Sequence, residues 1–220
     1  MNEKIKRICT IGMLSAVAFL VVYTIRIPMV LFLKYEPKDV VITIGGLIYG
    51  PMAAMIISVI VSFVEMITMS DTGIWGLIMN ILSTCAFACT AAWIYKKKRN
   101  MQGAVIGMVA GCILMVVVML LWNYLITPIY LGYPRGQVAA MLPTVVLPFN
   151  LFKGTLNTAI TLLLYKPVVT GLRKASLLPP VGDGKGERKR LAMWPVIVVI
   201  LATSVLILLV MKARMKYILE

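Results

Sequence analysis

The chain contains 220 residues, of which 61% are hydrophobic, and its mean hydropathy is +0.96. Soluble domains contain about 45–50% apolar residues, so this composition excludes an ordinary soluble domain and predicts a polytopic protein in a lipid bilayer. The formal net charge of +14, with no histidine, does not indicate nucleic-acid binding, because the basic residues lie in short clusters between apolar runs and follow no single helix face.

Seven apolar segments are predicted to be helices. The first six form an all-α transmembrane domain over residues 1–170, residues 171–192 form a basic flexible linker, and residues 193–212 form an appended seventh transmembrane helix. The second segment would rise only about 15 Å as a helix, so it is either a short span or a re-entrant segment. In chain order the segments are Ile8–Ile25, Val40–Tyr49, Met52–Met69, Trp75–Tyr95, Ala104–Ile126, Met141–Tyr165 and Trp194–Met211.

The basic residues favour a short span for the second segment. With this segment across the bilayer, fourteen lysines and arginines at positions 4–7, 96–99 and 166–190 share one side, and four face them: Arg26, Lys34, Lys38 and Arg135. The positive-inside rule then predicts a cytoplasmic N-terminus. Because the second helix is short, we expect its neighbours to shield it or the bilayer to become thinner around it. The basic residues at positions 212–216 would lie outside against this rule, so the orientation of the seventh helix stays open.

The sequence carries no catalytic signature. It has no Walker A loop, no GxSxG or HExxH motif and no histidine, so the chain is not predicted to be an enzyme or to drive transport with its own ATPase site. Glu65 is a charged residue within the third segment. It could form a proton or cation site, but we expect a structural role, with the side chain snorkelling at the outer end of the helix.

Lys153 is the most informative residue, because a charge at membrane depth costs roughly 2.5–3.5 kcal/mol and usually marks a functional site. In a helix, Asn150 and Asn157 lie one turn before and after it and share its face. The sequence therefore predicts a cluster of amides around a lysine within the sixth segment.

Further polar residues are expected near the outer ends of the helices. Three amides, from Asn80, Asn123 and Asn150, supply donors and acceptors, Lys153 supplies donors only, and aromatic faces come from Tyr124, Tyr130 and Phe149. Such a pocket suits a planar heteroaromatic ligand whose edge carries carbonyls and ring nitrogens. In the alternative interpretation, the asparagines only hold the helices together.

Five stretches resemble the riboflavin-specific S components of energy-coupling-factor (ECF) transporters, in the same order over roughly residues 1–170. The most specific of them is Pro148-Phe-Asn-Leu-Phe-Lys-Gly154, and the others are Phe32–Val40, Ile44–Pro51, Gly76–Asn80 and Asn123–Pro128. The resemblance implies a six-helix membrane fold that captures riboflavin from outside and docks to a transmembrane coupling subunit and two ATPases. It places Asn123, Asn150 and Lys153 against the flavin ring, and Asp39 and Thr43 at the ring or the ribityl chain; the vitamin is a transported ligand and no cofactor is implied.

The partner-docking residues are expected in the first helix. The first helix of the family resembles Ala-x-x-x-Ala at the face that docks to the coupling subunit, and the nearest match in this chain is Gly12-x-x-x-Ala16. This spacing puts two small residues on one helix face, which lets another helix approach closely. The glycines of Gly103-x-x-x-Gly107-x-x-x-Gly111 have the same spacing. We interpret Gly12 and Ala16 as docking residues and the later glycines as internal packing residues.

Two alternatives remain at this point. The chain could bind another vitamin, because amides and a lysine would also hold other heterocycles or a carboxylate. It could also be a non-transporting scaffold subunit whose polar residues only bind helices to one another. A copurified ligand separates these possibilities from riboflavin binding.

Overall fold

The computed structural model describes residues 3–30, 33–178, 197–198 and 200–209. In this part of the chain six helices form the body of the protein and a shorter seventh follows, which confirms the predicted all-α membrane fold. Five of the described helices are long and apolar enough to cross a bilayer. The helices are α1 (Glu3–Thr24), α2 (Lys38–Tyr49), α3 (Pro51–Thr68), α4 (Gly73–Lys97), α5 (Met101–Leu131), α6 (Arg135–Lys174) and α7 (Ile200–Leu209).

The connection between α1 and α2 contains two strands, where the sequence predicted no regular element. It forms an antiparallel hairpin of strands β1 (Ile27–Val30) and β2 (Leu33–Tyr35), which are too short to give a strand pattern in the sequence. We call this end of the bundle the hairpin end. The opposite end carries the Lys96–Arg99 cluster, and we call it the basic end.

The connection between the fifth and sixth helices is shorter than the predicted segment bounds, Ile126 and Met141, imply. Helix α5 continues to Leu131 and α6 begins at Arg135, so residues 132–134 alone connect them. Gly132 ends α5 with a φ of +69°, a left-handed conformation that glycine adopts without strain. The turn therefore holds the ends of α5 and α6 close together at the hairpin end.

The short helix α2 lies at the centre of the bundle, as its predicted shielding by neighbours requires. Nine of its twelve residues are buried. A Cβ atom on Gly45 would lie 2.7 Å from Ile57 Cδ1, and one on Gly46 would lie 2.9 Å from Ala54 Cβ, so α3 packs directly on its backbone. At the basic end, Gly50 ends α2 with a φ of +95° and Pro51 begins α3, which makes the reversal abrupt.

Helix α6 contains a wide π turn over Leu142–Val146, shortly before the most specific sequence motif. Pro143 and Pro148 lie in this stretch, and proline lacks the N–H that a regular helical hydrogen bond requires. The wider turn accommodates the missing N–H groups of these prolines. It also changes the directions in which the side chains after it point. Phe149 and Asn150 come next, and both are buried.

The glycines of α5 are packing residues, as predicted. A Cβ atom would lie 2.7 Å from the carbonyl oxygen of Ala91 if placed on Gly107, and 2.4 Å from that of Phe87 if placed on Gly111. Helix α4 therefore contacts α5 backbone to backbone, a contact that any side chain at these positions would prevent. Gly12 differs, because a Cβ atom there would meet no atom of the described residues outside its own helix within 4 Å.

The appended helix α7 packs along α6. The Ser204 hydroxyl donates to Thr155 Oγ1 over 2.8 Å, Ile200 packs against the cluster around Leu162, and Ile207 packs against the cluster around Phe149 at the hairpin end. In its described residues α7 thus runs from the basic end towards the hairpin end. Helix α6 continues past the boundary predicted at residue 170, and most of the predicted linker, residues 179–192, lies outside the described residues.

We expect Gly111→Ala to destabilise the protein by about 1–3 kcal/mol, because the new methyl group would overlap the carbonyl of Phe87 and separate α4 from α5. Thermal unfolding of the detergent-solubilised protein measures this. Gly12→Ala is the matched control, since it adds the same methyl group to an open helix face and should leave the melting temperature unchanged or slightly raised. Equal melting temperatures for both variants would contradict the proposed role of the α4–α5 contact.

Candidate ligand-binding site

Lys153 forms a buried ion pair that joins α2 to α6. Its Nζ lies 2.9 Å from Oδ2 of Asp39, and both residues are buried. The Thr84 hydroxyl donates to Asp39 Oδ1 over 2.7 Å. Asn157 donates to Asp39 Oδ2 over 3.4 Å and accepts from the Tyr35 hydroxyl over 2.9 Å. Asp39 therefore balances the charge of Lys153, whereas helical spacing had predicted only amide neighbours for that lysine.

A second group of four charges lies beside this pair. Lys38 bonds Glu36 over 2.8 Å and also bonds Glu65, while Arg26 bonds Glu36 over 3.0 Å and lies 3.6 Å from Glu65. The two cations and two carboxylates balance one another, as buried charges must. We call Arg26, Glu36, Lys38 and Glu65 the four-charge cluster.

The four-charge cluster corrects two expectations. Glu65 does not snorkel towards the outer surface, because 1% of it is exposed and it is paired with cations from the hairpin end. Lys38, predicted only as one of four basic residues on the outer side, is fully buried. Ion pairing replaces water as the partner of both side chains, so their role in the described structure is to fix the start of α2 against α3.

Two carboxyl groups at the hairpin end, outside the membrane-spanning helices, have lowered pKa values. Burial acts to raise the pKa of Glu36, but the charges of Lys38, Lys153 and Arg26 outweigh it and lower that pKa to about 2. At the surface, a hydrogen bond from Lys34 lowers the pKa of Asp71. Both acids therefore stay charged at neutral pH.

A cavity of about 140 Å³ lies next to these charges at the hairpin end. Four predicted ligand-binding residues line it, Asn80, Phe149, Asn150 and Lys153, and Tyr130 also lines it. Cavities for drug-sized ligands have about 300–1,000 Å³, so a vitamin would require the wall to move. The further lining residues are Arg26, Leu33, Lys34, Glu36, Glu65, Ser70, Asp71, Thr72, Gly76, Met79, Ser83 and Met119.

Four predicted residues do not line the cavity. Asn123 is buried, donates to the Met119 carbonyl over 2.8 Å and accepts from Thr127 over 3.0 Å. Asp39 lies behind Lys153 in the ion pair, and the Thr43 hydroxyl donates to the backbone carbonyl of Asp39 over 2.6 Å. Tyr124 is 43% exposed, so the structure directs it to the outside of the bundle.

Several lining groups have hydrogen-bonding capacity to spare. Asn150 donates to the Val146 carbonyl over 2.8 Å, which leaves its amide oxygen to accept from another group. The Ser83 hydroxyl is buried and has no hydrogen-bond partner among the described residues, and the Asn80 amide likewise bonds to none of them. A ligand edge with both donors and acceptors fits these groups.

Ser83 was not among the predicted site residues, although its helical spacing from Asn80 could have indicated it. Gly76, Asn80 and Ser83 are spaced by four and three residues, so they share one face of α4. No sequence pattern indicated that the hairpin and Asp71 line the cavity. These residues are distant in the chain and come together only in the folded protein. Their ion pair, between Lys34 of β2 and Asp71 of the α3–α4 turn, lies at the cavity wall.

The predicted docking residues lie on another surface. Gly12 and Ala16 are both exposed on α1, whereas Leu14 and Ser15 of the same helix are buried. The small residues therefore form an open strip on the outer side of the bundle, away from the cavity.

We expect Lys153→Met and Asp39→Asn each to destabilise the protein by about 3–5 kcal/mol, because each leaves the other charge buried and unpaired. The double variant removes both charges and should recover most of the loss. Thermal unfolding of the wild type, both single variants and the double variant measures this coupling. Strictly additive losses in the double variant would show that the two residues do not depend on one another.

Comparisons with known proteins identify the family of this chain. Residues 6–165 match the family described as ECF transporter, substrate-specific component. The chain is 28% identical over 179 residues to the riboflavin transporter RibU of Staphylococcus aureus, covering 77% of this chain and 93% of that protein. It is 30% identical over 189 residues to the riboflavin transporter FmnP of Bacillus subtilis, covering 79% and 99%.

A solved structure gives the same result for the fold. It is described as the S component of a bacterial ECF transporter and superimposes with a TM-score of 0.66 at 28% identity, covering 77% of this chain and 99% of that one. This chain belongs to the family of substrate-specific components of ECF transporters.

Proposed function

We propose that this chain is the riboflavin-binding membrane subunit of an ATP-driven ECF importer. As a member of its family it is a substrate-binding transport subunit and not an enzyme. It captures the vitamin from outside the cell and delivers it by docking to a module that contains the coupling and ATPase subunits. The names of its relatives, RibU and FmnP, support riboflavin over another vitamin.

The observation that carries the proposal is the chemistry of the cavity at the hairpin end. Asn80, Ser83 and Asn150 offer unused donors and acceptors, and Phe149 and Tyr130 offer aromatic faces. The flavin ring is planar and presents carbonyl oxygens and ring nitrogens along one edge. An aromatic wall with amides at its rim matches a ligand of this shape and polarity.

Lys153 would donate to a flavin carbonyl with the protons not used by Asp39. An ammonium group has three donors, and the ion pair needs one of them. Asp39 therefore acts as a positioning residue that holds the lysine at the cavity wall. Asn123 and Thr43 would support the wall from behind, and Asn157 would fix Asp39.

Entry of the vitamin requires the cavity to widen. The hairpin covers the cavity, and its Lys34 bonds Asp71 across the wall in a solvent-exposed ion pair. Exposed pairs of this kind contribute about 0–1 kcal/mol, so this contact opens at little cost. The buried ion pairs beneath it stay closed and keep the rest of the site in place.

The same proposal specifies the partners and the orientation. The chain lacks a nucleotide-binding motif, so energy would come from two ATPase subunits acting through one transmembrane coupling subunit. The open strip at Gly12 and Ala16 would receive the coupling subunit. The N-terminus would lie in the cytoplasm and the hairpin end outside the plasma membrane, an orientation that the distribution of basic residues supports.

Purification of the lone chain in detergent tests the proposal. We expect a yellow preparation with flavin fluorescence, or quenching of added riboflavin by the ligand-free protein. A colourless preparation that carries a different vitamin would reassign the substrate. A folded protein that binds none of these compounds would support a scaffold role.

We expect Asn80→Ala and Ser83→Ala each to weaken riboflavin binding by about two- to tenfold, because each removes a hydrogen bond of about 0.5–1.5 kcal/mol. Titration of flavin fluorescence quenching measures the dissociation constants. Tyr124→Phe is the control, since that side chain lies outside the bundle and its change should not alter affinity. A large effect at Tyr124 together with none at Asn80 and Ser83 would place the ligand elsewhere.

Gly12→Leu and Ala16→Leu should abolish uptake by the assembled transporter and leave riboflavin affinity of the isolated subunit unchanged. A bulky side chain would prevent close approach of a partner helix, while the cavity lies at the other end of the bundle. Uptake in cells and binding in detergent are compared for each variant. Met13→Leu, an exposed neighbour on α1, is the control and should retain uptake. If affinity fell in step with uptake, these residues would serve the binding fold and not docking.

A further inference from the structure

A second cavity, of about 350 Å³, lies at the basic end between α2, α4 and α6. It is larger than the cavity at the hairpin end and within the size range of small-ligand sites. Apolar residues such as Leu47, Ala92 and Val169 form part of its wall. None of the predicted ligand-binding or docking residues lines it, so it has no role in the proposed transport function.

Three cations from separate stretches of the chain line this cavity. Lys96 lies in the last turn of α4, Arg99 lies in the α4–α5 turn, and Arg173 lies in the last turn of α6. Among the described residues, no carboxylate lines the cavity and none forms a salt bridge with these three side chains. The site therefore has an excess of positive charge that the described part of the chain does not neutralise.

Three tyrosines add hydroxyl groups to the same wall. The hydroxyls of Tyr95 and Tyr165 lie 3.1 Å apart and bond one another. The Tyr49 hydroxyl is buried and has no hydrogen-bond partner in the described structure. A buried hydroxyl without a partner loses about 1–3 kcal/mol of hydrogen bonding, so an external acceptor at this wall would satisfy it.

The surroundings indicate the depth of the cavity in the membrane. Lys97 stacks over the Trp93 ring, 3.7 Å from its centroid, one turn from the cavity. Tryptophan and lysine side chains of this kind mark the boundary between lipid tails and headgroups. An apolar wall with cations at its mouth, at this depth, matches the acyl and phosphate parts of a phospholipid.

We propose that the cavity at the basic end binds the phosphate group of an anionic phospholipid, with Lys96, Arg99 and Arg173 around the phosphate and the Tyr49 hydroxyl donating to one of its oxygens. Basic pockets between helices on the cytoplasmic side commonly receive such headgroups. The linker after Leu178 is a poor occupant by charge, because residues 179–190 carry four basic and two acidic side chains. Lipid in this cavity would contact α2, α4 and α6 together at the end of the bundle opposite the vitamin site.

Native mass spectrometry of the full chain in detergent tests the proposal by titration with dioleoylphosphatidylglycerol, with dioleoylphosphatidylcholine as the neutral comparison. The first variant carries Lys96→Gln, Arg99→Gln and Arg173→Gln. The control carries Lys98→Gln, Lys166→Gln and Lys174→Gln, which remove the same charge from exposed positions outside the cavity. We expect the control to bind phosphatidylglycerol at least about tenfold more tightly than the first variant.

Tyr49→Phe provides an independent variant that keeps every charge. It should weaken phosphatidylglycerol binding by about two- to tenfold, while the melting temperature without lipid stays equal or rises, because the unpaired hydroxyl is gone. A merely structural role for Tyr49 would leave the lipid affinity unchanged. This outcome would overturn the assigned contact.

Other results would overturn the lipid assignment. Equal phosphatidylglycerol affinities in the two triple variants would show only general attraction to a basic surface. Binding of glycerol phosphate as tight as that of the lipid would identify a soluble phosphate compound as the ligand. Preferential binding of a glutamate-rich peptide, lost in the cavity variant, would identify an acidic protein partner instead.

Discussion

The ion pair between Asp39 and Lys153 sets the arrangement of the hairpin end. Inside a bilayer neither charge is tolerable alone, so α2 and α6 must meet where the two residues face one another. Thr84 and Asn157 complete the bonding of Asp39 and bring α4 and, through Tyr35, the hairpin to the same point. One buried contact thus determines where four parts of the chain meet, and the cavity lies beside it.

The four-charge cluster extends the same principle to the covering hairpin. It connects Arg26 and Glu36, which flank the hairpin, to Lys38 in α2 and Glu65 in α3. The buried pairs are costly to break, whereas the exposed Lys34–Asp71 pair is weak. Under the proposed function, this difference in strength would let the hairpin move above a fixed base and widen the cavity for the vitamin.

Small residues serve two opposite purposes in this fold. On α5, Gly107 and Gly111 allow α4 to approach the helix backbone, and their surface is fully used inside the molecule. On α1, Gly12 and Ala16 have the same spacing but are exposed, and no described residue would contact a Cβ atom on Gly12. Identical sequence patterns therefore differ in meaning, and only burial in the fold distinguishes a packing face from an open one.

The sequence by itself determined the membrane class, the helices and the importance of Lys153. Apolar runs of bilayer length can form little else, because backbone groups in lipid must bond within a helix, and an intramembrane lysine is too costly without a purpose. The short α2 was also predictable, since the distribution of basic residues required it to span.

Only the tertiary structure decided which polar groups meet. Asp39, and not an amide, balances Lys153; Ser83 faces the cavity and Tyr124 does not. Glu65 is buried among cations from a hairpin that the sequence did not indicate. Helical periodicity gives the face of each residue on its own helix, but the partner across a helix interface depends on packing between segments far apart in the chain.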